Sequence, residues 1–551
     1  MIHFKKFLLA GLSVLAISTA QAQINLPNLP FEVHGNFQID VQYYLEDSSI
    51  GAPPVPEEIL TNGFGNLTVT RGKFTAGIRY ESYLNPLLGF DTRYKGNGIT
   101  YRFAEYVVGD LDITIGNFYE QFGSGLIFRS YEERGLGLDN AMDGIRLKYN
   151  PTPGVYLKGF IATQRFYFDK AGLVRGADGE IALSEAIKSM ASSKTLITLG
   201  AGVVSKFQND DNPVYKLPEN VLAFAPRIRI NRGNFGLYTE YAYKYNDPSA
   251  INATAENPSG IYKPGQGMYV NGTYSRKGLG VSLSGKFIDN MSYRSDRDAV
   301  SNDLHLSYLP ALTKQQTYRL ATLYPYASQP NGEVGYQGDL FYNFKTGSAL
   351  GGKYGTYVAL NYSRANGLAT TATDDELGYE STFFKMGPDK YFEEVNVDVQ
   401  KKINKDMKLF FTYVYTLYDE GVIKGLGDQF GKIYANIGII EMQYKINKTH
   451  SMRAEVQHLY TEQDKQSWVM ALLEYTISPH WFVAAFDEYN YGNDISEDRL
   501  HYPNVSMGYT KGANRISLGY GKQREGLLCV GGVCRQVPAS NGFSLSVTSS
   551  F

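Results

Sequence analysis

From Glu32 onward the chain alternates. Val33, Gly35, Phe37, Ile39, Val41, Tyr43 and Leu45 fall on one face, and Glu32, His34, Asn36, Gln38, Asp40 and Gln42 on the other. A strand turns successive side chains to opposite faces, so this pattern predicts a strand with one apolar and one polar face. The same period returns at Phe74, Ala76, Ile78 and Tyr80, at Leu279, Val281, Leu283 and Phe287, and at Met407, Leu409, Phe411, Tyr413, Tyr415 and Leu417. It returns again at Met452, Ala454, Val456 and Tyr460, interleaved with Arg453, Glu455 and Gln457. Strands of a soluble sandwich alternate too, but they are shorter. These approach the length of a membrane-crossing strand.

The links between strands alternate between short and long. Arg71-Gly72-Lys73, Val108-Gly109-Asp110, Asn231-Arg232-Gly233, Arg276-Lys277-Gly278 and Lys511-Gly512-Ala513 read as tight turns. Longer polar stretches, such as Glu46 to Thr61, Asn246 to Pro264 and Arg364 to Asp389, lie between them. This layout predicts an all-β fold: one transmembrane antiparallel up-and-down β-barrel with short periplasmic turns and long extracellular loops. Counting hairpins gives about 26 strands, within a range of roughly 22 to 26. Asp169 to Lys194 is the least regular stretch. It reads as an excursion inside one domain, with Ile181 to Ala191 a short helix or an irregular turn. At the C-terminus Phe543, Leu545, Val547 and Phe551 share a face. The last strand must pair with the first, because an open edge is not tolerated in lipid. A final strand ending on an aromatic residue resembles the signal read by the barrel-assembly machinery, an expected partner during biogenesis.

Composition sets the address. Lys5 and Lys6 precede the apolar run Phe7 to Ser18, and Ala20-Gln21-Ala22 follows as a small-residue cleavage site. Residues 1–22 therefore read as a signal peptide and 23–551 as the barrel domain. No later apolar run is long enough for a helical span. With 53 Lys and Arg against 55 Asp and Glu, the chain lacks the basic excess of a nucleic-acid binder. Its 44 Tyr, 30 Phe and 57 Gly suit a barrel with aromatic belts. The expected location is the bacterial outer membrane, as an integral protein in contact with its lipid. Cys529 and Cys534, in CVGGVC, would then meet an oxidising setting, and their Gly-Gly centre permits a small-loop disulfide. They are too few for a metal site of their own.

The densest chemistry lies in FYEQFGSGLIFRSYEER, Phe118 to Arg134. A barrel of more than about twenty strands encloses more space than its wall side chains fill. One reading folds residues 120–143 inward, so that Glu120, Arg129, Glu132, Glu133 and Arg134, with Arg146 and Lys148 on the return strand, shape a lumen constriction. The plainer reading is an outer loop, or wall charges paired across a polar lumen. Catalysis is not expected. His34, His305, His450, His458, His480 and His501 sit in no catalytic signature, and neither GxSxG nor HExxH occurs. No cofactor or metal is called for.

The run GNFYEQFGSGLIFRSYEERGLGLDNAMDGIRLKY (116–149), with the signal peptide and Phe551, resembles a family of large outer-membrane barrels from Bacteroidota whose function is unknown. TISPHWFVAAFDEYNYG (476–492) is similar to the same group, less specifically. The resemblance implies fold and location and brings no catalytic residues. The expected function is a porin-like channel giving polar solutes passive or gated passage. The alternative is a non-conducting barrel that scaffolds a secretion or assembly complex with partner proteins of the envelope.

Overall fold

The computed structural model describes residues 31–211, 216–248, 262–375, 377–426 and 431–551. The expected signal peptide lies outside the described residues. Twenty-four strands form one antiparallel sheet, each paired to its neighbour in chain order. Strand Glu32–Leu45 pairs both with Ile59–Arg71 and with the last strand, Ser540–Ser550, so the sheet closes. Ile39 faces Val547 and Val41 faces Leu545 across the closing seam. No strand edge is left in the wall, as a span through lipid requires.

Burial is inverted relative to a soluble protein. Phe235, Leu283 and Ile440 are 65%, 63% and 59% exposed, whereas Lys206, Lys244, Lys286, Glu240 and Glu488 are fully buried. Apolar side chains line the outside and charged ones the inside, the signature of a transmembrane barrel. Exposed aromatic residues mark two levels. Phe74, Tyr106, Tyr149, Phe235 and Trp481 lie near the short-turn end, and Tyr80, Tyr245, Tyr434, Tyr460 and Tyr520 toward the long-loop end. Such rings settle at membrane interfaces.

Short links such as those between Arg71 and Phe74 or Lys511 and Asn514 gather at one end of the barrel, and the long links at the other. Two stretches differ from expectation. Asp169–Ala182 is a wall strand, followed by a single helical turn, Leu183–Ala186. Its glycines mask the alternation, and Gly172, at φ +57°, makes a bulge between Ala171 and Leu173. The stretch Arg364 to Asp389 is mostly strand: Thr356–Ala372 and Tyr379–Lys402 extend as a long, irregular hairpin. Its Phe383 and Phe384 lie over the outward-facing Phe287, with ring centroids 4.7 and 5.8 Å away. Two further pairs of short strands, Glu132–Glu133 with Leu138–Asp139 and Gly526–Val530 with Val533–Val537, lie outside the wall.

Candidate functional site

The chain leaves the wall after Phe118 and rejoins it at Met142. The 119–141 segment between them turns into the lumen. Phe122, Leu126, Ile127 and Phe128 are fully buried against inward-facing Phe160, Val174, Val204 and Ala223 of the wall. Gly123 sits at φ +54°, where a Cβ would lie 2.3 Å from a carboxylate oxygen of Glu240. Only glycine lets the tip come this close. The Ser124 backbone N–H then donates to Glu240 Oε2 at 2.6 Å, and the Tyr238 hydroxyl donates to the same oxygen at 2.6 Å.

Charged residues hold the base of this segment. Glu120 meets Lys158 Nζ at 2.9 Å, Lys148 Nζ at 3.3 Å and Arg146 Nη1 at 3.6 Å. Burial pushes the Glu120 carboxyl up, but Lys158 and Lys148 outweigh it and hold the group below the ordinary glutamate value. Arg129 makes no carboxylate pair among the described residues. Its guanidinium lies over the rings of Tyr131, at 4.4 Å, and Tyr308, at 4.0 Å, which pack edge-to-face on each other. Glu132 joins Arg134 at 2.7 Å and Arg79 at 3.0 Å. Glu133 caps the following turn by accepting from Gly135 N–H at 3.2 Å. Arg134 also covers the ring of Phe64 at 4.5 Å.

The cluster has members that the sequence reading did not single out. Arg79 and Arg165 share the carboxylates of Glu81 and Asp139, all four nearly fully buried. Lys158 is the nearest partner of Glu120. Asp139 belongs to the inner segment itself, whereas Arg79 and Glu81 sit on strand Phe74–Asn85 and Lys158 and Arg165 on Val155–Phe166, and the curvature of the wall between these strands brings them to the motif.

A second inner segment is larger. The 290–331 link between strands Leu279–Asp289 and Gly332–Phe344 fills much of the remaining lumen. Its first half lies against the first segment: Leu306 O accepts from Arg129 N–H at 2.8 Å, and Gly125 O from Tyr308 N–H at 2.9 Å. Arg294 ties this half together by donating to the carbonyls of Ser301 and Asp303 at 2.7 and 2.6 Å. Burial lowers the Arg294 guanidinium to about 10. Burial, and then the Arg294 charge, push His305 down to about 3, so this ring is neutral at pH 7. The second half reaches far down the barrel. Lys314 Nζ meets Asp398 at 2.5 Å, close to the short-turn end of strand Tyr379–Lys402. Tyr318 donates to Glu441 at 3.2 Å, and Leu320 N–H to Gln457 at 2.8 Å. Leu320, Tyr324 and Tyr326 are buried in the same apolar cluster as inward-facing Ile433, Ile437 and Ile439.

The third element is the 526–537 hairpin, clasped by the Cys529–Cys534 disulfide. It rests on the second segment. Cys534 O accepts from Asn302 at 2.6 Å, Cys529 O from Gln315 at 3.3 Å, and Gly532 O from Ser328 N–H at 3.2 Å. A cavity of about 1020 Å³ remains between the inner segments and the wall, lined by Tyr131, Tyr308, Tyr324, Trp468 and Arg524 among others. One signal for this interior was present in the sequence. Strand Lys432–Lys445 is apolar on both faces, with Ile433, Ala435, Ile437 and Ile439 inward and Tyr434 and Ile440 outward. An inward apolar row needs something apolar to cover it.

The chain is therefore a transmembrane β-barrel whose lumen is occupied by its own long links. A family model matches residues 4–551, and the chain belongs to that family, a family of unknown function designated DUF6029. No match was found among curated proteins. Among solved structures it is similar to the P pilus usher (PapC) translocation pore, at 10% identity over 94% of this chain and 99% of that one, with a TM-score of 0.41. It is also similar to OccD1 (OprD), at 10% identity over 95% of each chain and a TM-score of 0.34. The siderophore receptor PirA from Pseudomonas aeruginosa matches at 9% identity over 94% of this chain and 80% of that one, with a TM-score of 0.38.

Proposed function

We propose that this protein is an integral channel of the bacterial outer membrane, giving polar solutes gated passage, with the 119–141 segment as the moving part of the gate. The observation that carries this reading is how the segment is held. Its tip hangs on the Glu240 carboxylate, and its base on the Glu120 cluster with Arg146, Lys148 and Lys158. Water can replace polar links of this kind when the segment withdraws. The groups left behind on the wall, Glu240, Arg146, Lys148 and Lys158, would line a polar path. Glu120, Arg129, Glu132, Glu133 and Arg134 would then set the constriction and its ion preference. Replacing Arg129 and Arg134 by Ala in planar bilayers tests this. A change in conductance and in cation-to-anion preference is expected, and unchanged values would remove these residues from the path.

The inner apolar seat favours a second reading. Leu320, Tyr324 and Tyr326 against Ile433, Ile437 and Ile439 would resist withdrawal, as in a non-conducting barrel that scaffolds an envelope complex. Purification in mild detergent separates the two: a stoichiometric partner favours the scaffold, and a lone conducting barrel the channel. Residues 1–22 act in this reading as the export signal. Phe543, Leu545 and Val547, on the strand that closes the barrel, with Phe551 beyond it, serve as the assembly signal. Support for the latter comes from the hydrogen bonds of Phe551 to Gly35, 3.0 Å in each direction, at the closing seam.

A further inference from the structure

The outer wall carries an ion cluster where lipid would lie. On strand Gly96–Val108, Tyr101 points inward, stacked on Tyr119 of the inner segment. Its neighbour Arg102 therefore points outward. Arg102 is paired across the ladder with Ile78, itself exposed on the outer face. The aromatic pair Phe74 and Tyr106 stands four residues nearer the turn end, and Tyr80 two residues beyond Ile78. Arg102 thus lies within the lipid-facing rows and is not part of a loop.

Asp143 shares the outer face with Ile145. Its carboxylate meets Lys170 Nζ at 2.6 Å and Arg102 Nη2 at 3.4 Å. The two cations remain about half exposed, at 53% for Arg102 and 49% for Lys170, while Asp143 is 10% exposed. The backbone is built to hold Arg102 in place. Its N–H donates to the buried Asn117 at 2.9 Å, and Gly116, at φ +98°, would bring a Cβ within 2.3 Å of its carbonyl oxygen. Directly beside the cluster runs a shallow apolar groove of about 670 Å³, lined by Leu67, Ile78, Ala104, Ile115 and Ile145.

A charge on the lipid face of a barrel is costly, and a cluster of three held together there beside an apolar groove calls for a functional account. Here two cations share one carboxylate, which leaves a net positive charge beside a groove shaped for hydrocarbon. We propose that this site binds an anionic lipid of the surrounding leaflet, its phosphate on Arg102 and Lys170 and an acyl chain along Ile78, Ile115 and Ile145. A second copy of the chain is a poorer occupant, because a two-fold contact here would set two net positive clusters face to face. The proposal is independent of whether the lumen conducts.

Native mass spectrometry of the protein released from phosphatidylcholine nanodiscs containing a minor fraction of phosphatidylglycerol tests it. The wild type is expected to retain phosphatidylglycerol well above its share in the disc. The pair Arg102→Gln and Lys170→Gln should reduce retention to that share. Arg175→Gln, which removes another exposed cation of the outer wall, should leave it unchanged. Asp143→Asn, which frees both cations from their competing carboxylate, should raise retention, a gain that a misfolded barrel would not produce. Equal retention by all four proteins, or equal retention of the neutral lipid, would overturn the proposal.

Discussion

Gly123→Ala is the smallest change that should unseat the inner tip. The position lies at φ +54°, and a left-handed backbone costs an L-residue about 1–2 kcal/mol. The new Cβ would stand 2.3 Å from Glu240 Oε1, so the tip must back away from that carboxylate. The Ser124 N–H bond to Glu240, 2.6 Å long and fully buried at its acceptor, then opens. A hydrogen bond to a charged group contributes about 1.5–3 kcal/mol. The two effects together disfavour the seated tip by at least about 2.5 kcal/mol, roughly sixtyfold in the equilibrium between seated and withdrawn states. The apolar contacts of Phe122 and Phe128 pull the other way and would limit the motion to the tip and its flanks. Single-channel recording reads the result as a higher open probability at unchanged unit conductance. Proteolysis within 121–126 should rise in parallel, while heat-modifiable gel mobility confirms an intact barrel. Wild-type open probability together with wild-type protease resistance would refute the reasoning.

Other consequences can be checked separately. The Glu120 carboxyl is held below its unfolded value, so its stabilisation is present at neutral pH and is lost only as pH falls through that lowered value. Openings should therefore be constant from about pH 7 to pH 5 and rise below about pH 4; Glu120→Gln should open the channel at pH 7 and abolish the acid response. Arg129→Ala removes the cation that lies over the rings of Tyr131 and Tyr308, about 1–2 kcal/mol in all, and should speed hydrogen exchange at the amides of 129–131 without changing that of the wall. Ile437→Asp places a carboxylate in the inner apolar seat at a cost of at least about 2 kcal/mol. Faster exchange at 320–326 in a barrel of normal gel mobility is the expected outcome.

Much of this architecture was legible in the chain. Alternation at 33–45, 74–80 and 407–417 identified wall strands and their lipid faces, because the period of two survives wherever lipid lies outside and polar groups inside. The strand number was bracketed and not fixed. The 526–537 stretch, read as a small disulfide loop, pairs as two short strands outside the wall sheet. Asp169–Ala182 read as an excursion and not as a wall strand because glycines at 172, 176 and 179 interrupt its pattern. The inner segments were harder to place. The 119–141 stretch announced itself by its charges and glycines, but its direction depends on Glu240 and Lys158, which are distant in sequence. Residues 290–331 carry no sustained alternation and were not singled out. What buries Met291, Tyr293 and Leu306 is the closed wall around them, which no local pattern encodes.

The most direct test compares the conductance of the wild-type barrel in a planar bilayer with that of a variant in which residues 121–130 are replaced by a short Gly-Ser link. If the lumen is a polar path closed by its own inner segments, the wild type should show brief, infrequent openings and the variant long openings of larger conductance. A wild-type barrel as open as the variant, or silence from both when each is demonstrably folded and inserted, would contradict it.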